Sequence, residues 1–94
     1  MAISTTRSGT LAATTTPDTI TLAGPGQGII VTNMDGAGFV TFRIDGTAAA
    51  AAPSAENYLI GKVGGGFRRV PHSKWPVVIS VYASAATVVG AEVY

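Results

Sequence analysis

The chain has 94 residues, 47% hydrophobic and 12% charged, with no cysteine and a formal net charge of +1. This length gives one domain that buries about 60% of its unfolded surface, and excludes two. The lack of cysteine excludes a disulfide framework and a thiolate metal site, and the near-neutral balance promises only weak counterion-release attraction to nucleic acid.

Met1 to Ser8 is polar and aperiodic. It reads as an N-terminal arm, residues 1–8, that orders by strand addition on a neighbour, with Arg7 pairing to an acidic group. It shows no basic region followed by a long apolar core, and no later run approaches the roughly 18 apolar residues of a membrane span. Synthesis in a cytoplasm and no membrane partner are therefore expected. Thr10 to Thr16 and Asp18 to Leu22 are threonine-rich strands separated by Pro17, the second with Ile20 and Leu22 on one face. Ala23 to Gly28, AGPGQG, is a turn.

The stretch Gly28 to Thr47 predicts two strands joined as an antiparallel hairpin. Ile29 to Val31 is continuously apolar, and Val40, Phe42 and Ile44 alternate with Thr41, Arg43 and Asp45, the period of a strand with one buried and one wet face. Asp35-Gly36 and Gly38 supply the reversal, because glycine reaches positive φ without a Cβ clash. The tract TAAAAAPSAEN, Thr47 to Asn57, has too few alanines before Pro53 to nucleate a helix, and reads as a loop with at most one helical turn.

Strand character returns at Tyr58 to Val63 and, after a glycine corner, at Phe67 to Pro71. A connector from His72 to Pro76 leads to Val77–Ala83, where Val77, Ile79 and Val81 alternate with Val78, Ser80 and Tyr82, and Thr87 to Tyr94 closes the chain. Seven or eight short strands at this spacing predict an all-β fold: one antiparallel β-sandwich or small barrel over residues 9–94, with jelly-roll or Greek-key connections.

A search for chemistry finds little. His72 is the single histidine and has no carboxylate near it in sequence, so neither a zinc site nor a general base with its nucleophile is indicated. The five carboxylates are scattered, and Asp35 and Asp45, each before a glycine, are explained by turns. Neither GPGQG nor VGGGF ends in the Lys-Ser/Thr of a phosphate-binding loop or opens a helix. No catalytic residue, metal or cofactor is expected.

Binding potential gathers instead between Lys62 and Trp75, which holds Lys62, Phe67, Arg68, Arg69, His72, Lys74 and Trp75, and so four of the six basic residues. Arginine and tryptophan dominate interface hot spots because they join large contact area to directed hydrogen bonds. With Arg7 these residues form the candidate interface. The plainer role is a Trp75 that plugs one end of a sandwich beside solvated arginines. Low charge on a β-rich chain also predicts edges occupied by neighbours, hence a homo-oligomer or larger assembly.

The order of a threonine-rich opening strand, a glycine turn into IIVTN, a DG turn, FVTFRIDGTA, an Asn-Tyr strand at ENYLI and the ending PVVISVYASAATVVGAEVY resembles small structural proteins of tailed bacteriophages. The resemblance is to capsid decoration, or cement, proteins, and covers about Gly9 to Tyr94. It implies a non-enzymatic virion protein on the capsid surface, bound to the major capsid protein and to itself, commonly as a trimer. The competing expectation is a tail or head-fibre adhesion module that binds host-surface carbohydrate on Trp75, Tyr58 or Tyr82.

Overall fold

The structure is a computed structural model that describes residues 2–50 and 57–94. It is all-β: β1 Ile3–Thr5, β2 Ser8–Ala13, β3 Asp18–Leu22, β4 Gly28–Asn33, β5 Val40–Arg43, β6 Tyr58–Ile60, β7 Gly66–Pro71, β8 Val77–Ala83 and β9 Thr87–Val93. Two sheets pack face to face, one in the order β1-β3-β8-β5-β6 and the other in the order β2-β9-β4-β7. The antiparallel pairs β2–β9, β3–β8, β4–β7 and β5–β6 are those of one long ribbon with its tip at β5–β6. Rolling that ribbon up adds the pairs β4–β9 and β5–β8, which is jelly-roll topology.

The alternating residues of both sheets close on one core, with Phe42, Ile20, Leu22, Ile29, Ile79 and Val81 fully buried. Ile29, Val31 and Asn33 point into it from β4, and Val40 and Phe42 from β5. This explains why the expected β4–β5 hairpin does not form. Alternation reports which residues face the core, and two strands on opposite sides of the same core carry the same pattern. β4 lies between β9 and β7, β5 lies between β8 and β6, and residues 34–39 cross from one sheet to the other.

Within residues 9–94 every described strand pair is antiparallel, as expected, and the parallel pair lies in the expected arm, where β1 runs alongside β3 with Ile3 opposite Ile20 and Thr5 opposite Leu22. Residues 3–5 of the expected arm thus already have a strand partner in their own chain. Thr41, expected on a wet face, is fully buried. The start of the alanine tract lies across it: the Thr41 hydroxyl donates to the Ala50 carbonyl at 2.6 Å, and the Ala49 amide donates to the Ser80 hydroxyl at 2.9 Å. The rest of that tract, residues 51–56, lies outside the described residues, as does the helical turn allowed for it.

Beside this loop the Arg43 side chain donates through Nε to Asp45 Oδ1 at 3.0 Å and through a terminal nitrogen to Oδ2. These bonds, with the Thr47 amide, hold the exposed Asp45 carboxyl down to about 2. A carboxyl depressed in the folded state stabilises the fold fully above its unfolded pKa, near 3.9, and that contribution is lost as pH falls through the folded value. NMR titration of the Asp45 carboxyl should therefore show a midpoint near 2 that rises toward about 4 in Arg43→Ala; an unchanged midpoint would show that the ion pair is not the cause.

Candidate functional site: a basic aromatic end and the face beside it

The eight candidate interface residues divide among four places. Arg7, His72, Lys74 and Trp75 meet at one end of the sandwich. Chain pairing brings them there: the Ala23 and Gly24 amides donate to the Thr5 and Thr6 carbonyls at 3.0 Å, and the His72 amide donates to the Gln27 carbonyl at 3.0 Å. The Arg7 guanidinium donates to the Pro25 carbonyl at 2.8 Å, so within the chain its partner is a backbone oxygen rather than an acidic group. Trp75 packs against the core and stands edge-on to His72, with ring centroids 5.4 Å apart.

Gly24 makes the Trp75 position possible. Its φ is +68°, and an added Cβ would lie 2.5 Å from the indole, far inside van der Waals contact. Both the backbone conformation and the close ring therefore require glycine. The flanking peptide bonds Gly24–Pro25 and Trp75–Pro76 are cis. Tyr94 completes this end. Its carbonyl accepts from the Gln27 amide at 2.7 Å, its amide donates to the Gly28 carbonyl, and its ring lies under the Arg69 guanidinium at 4.0 Å. Tyr94 escapes sequence reading because its role depends on β7 and β9 flanking β4, although its place two residues beyond the outward-facing Glu92 is a usable signal.

Arg68 belongs elsewhere. It is paired with Val31 and so turns to the core side of the edge strand β7, where its guanidinium lies 5.4 Å from the Tyr58 ring centroid on β6. Lys62 is exposed in the turn between β6 and β7, at the opposite end of the molecule from Trp75. Phe67, 64% exposed, points outward from the four-stranded sheet on the same face as Arg69.

Arg7 and Lys74 lie at the Gly28 end, Asp18, Asp35 and Lys62 lie at the Asn33 end, and Arg69 and Glu92 share one level of the four-stranded sheet. Asp35 has a structural task there, accepting the Val88 amide at 3.1 Å. Among the described residues no group of three His, Cys, Asp or Glu side chains is placed to hold a metal. The arrangement offers cationic donors around an aromatic platform, suited to docking on a surface that presents carboxylates. No protein family, characterised protein or solved structure matches the chain.

Proposed function

We propose that this chain is a virion structural protein that binds the outer surface of a tailed-phage capsid, contacts the major capsid protein and stabilises the head without catalysing a reaction. The observation that carries the reading is the convergence of Arg7, His72, Lys74 and Trp75 on one end of a jelly roll, from positions more than sixty residues apart in sequence. The sequence resemblance points the same way, and jelly rolls recur in viral capsid domains, a support by fold analogy alone. Docking is then led by charge steering from Arg7 and Lys74 toward an acidic patch, with Trp75 as the anchoring contact.

The test is rebinding to purified heads followed by co-sedimentation. Lys74→Glu should weaken binding and flatten its salt dependence, since an exposed rim charge acts mainly through steering. Trp75→Phe should weaken it by roughly thirtyfold. Normal occupancy of heads by both variants would overturn the assignment of this end. Binding to host-surface glycans in place of heads would favour the adhesion module, with Trp75, Tyr58 or Tyr82 as its platform.

A further inference from the structure

The two outer faces of the sandwich differ. The five-stranded sheet is crossed by the loop that buries Thr41 and Ser80. On the four-stranded sheet, Met34 and Tyr94 reach over opposite margins, and the middle is a shallow groove of about 290 Å³ floored by Gly90 and walled by Thr10, Ile30, Thr32, Met34 and Glu92. Strand register lays this face out as two rows. One row reads Ser8, Glu92, Ile30, Arg69 and the next reads Thr10, Gly90, Thr32, Phe67.

Both rows are self-complementary about β4. A two-fold axis lying in the plane of the face and running along β4 exchanges the strands on either side of it, β9 and β7. A second copy laid on the face then brings Arg69 opposite the partner's Glu92 and Glu92 opposite the partner's Arg69. The same operation sets the exposed Phe67 ring over the partner's Gly90, where the missing side chain leaves the groove, and stacks Ile30 on Ile30. Stacked sheets lie about 10 Å apart, a gap that a phenylalanine opposite a glycine fills. Stacking on Tyr94 at 4.0 Å holds the Arg69 guanidinium over the face, where an approaching carboxylate meets it.

We infer that the outer face of the four-stranded sheet is an isologous docking surface for a second copy of this chain, with Phe67 entering the Gly90 groove and Arg69 pairing with Glu92 across the two-fold. Such an interface uses one patch twice and closes as a dimer. The axis along β4 overlaps three strands of about six residues, β9, β4 and β7, a shared face of ~14 by 20 Å. Two copies then bury on the order of 600 Å², below the size of stable interfaces, so the dimer is weak and reversible, with a dissociation constant of about 0.1–1 mM. The inference stands apart from capsid binding, because self-association is measured with no capsid present.

Sedimentation equilibrium of the full chain from micromolar to millimolar concentrations tests it. The wild type should sediment as a reversible dimer, weakened roughly thirtyfold or more by Phe67→Ser, an exposed change that spares the core. Gly90→Ala should weaken it in the same direction by narrowing the groove; the added Cβ meets the Met34 sulfur at 3.2 Å, and the end of that flexible side chain shifts to admit it. Arg69→Glu and Glu92→Arg should each weaken association by setting like charges opposite one another, and the double variant should regain at least about tenfold over either single. A monomer at every concentration, a trimer, a dimer indifferent to Phe67→Ser, or a folded double variant without recovery would each overturn the inference.

Discussion

Phe42→Ala will destabilise the protein by about 3–5 kcal/mol, a large share of the roughly 5–10 kcal/mol expected for a domain of this size. Phe42 is fully buried and is the largest such side chain, and it stacks on Tyr58 with centroids 5.1 Å apart. It sits near the tip of the rolled ribbon, on β5 between β6 and β8. Removing it opens a cavity between rigid β-branched neighbours that relax little, so the lost transfer free energy and the cavity term add. Urea denaturation followed by tryptophan fluorescence should show a lower midpoint with an unchanged slope, and a loss under about 1.5 kcal/mol would mean that the site collapses or is looser than described.

Asn33→Leu will cost a comparable amount, about 3–5 kcal/mol, though leucine is nearly the same size and more apolar. Asn33 is fully buried at the end of β4, and all four of its hydrogen-bonding positions are filled: Nδ2 donates to the Gly38 carbonyl at 2.8 Å and the Gly61 carbonyl at 3.0 Å, while Oδ1 accepts from the Gly36 amide at 3.2 Å and the Thr87 hydroxyl at 2.9 Å. One side chain thus ties the β4–β5 crossing to the β6–β7 turn and to β9. Leucine leaves those groups desolvated without a partner, each at about 1–3 kcal/mol. Asn33→Asp keeps the acceptors but loses both donors, so it should be destabilised and should recover as pH falls and the buried carboxyl takes up a proton. Equal stability of the wild type and Asn33→Leu would show that the network contributes nothing net.

Strand positions were the most legible part of the sequence. Asp18–Leu22 and Val77–Ala83 are β3 and β8 to the residue, because period-two alternation between turn residues is a local signal. Their number and spacing predicted an all-β sandwich or small barrel with jelly-roll or Greek-key connections, of which the sandwich with jelly-roll connections is observed. Partnership of strands was not legible at β4 and β5, whose patterns suit a hairpin and a crossing equally well. Burial of Thr41 depends on a loop folding over it from nine residues away. Neighbours in sequence also part: Arg68 and Arg69 read as one basic patch, yet a strand sends them to opposite faces, one over Tyr58 and the other over Tyr94. Gly90 shows no sequence signal at all, since its importance lies in the side chains around the space it leaves.

Occupancy of purified phage heads by the added protein tests the central claim most directly, with the thermal stability of those heads read alongside. A capsid-binding structural protein saturates at a fixed copy number per particle and stabilises each site by RT ln(1 + [L]/Kd), about 2.7 kcal/mol at a hundredfold excess over Kd, so decorated heads withstand higher temperature than bare ones. Heads that neither retain the protein nor gain stability at saturating concentration would contradict the account.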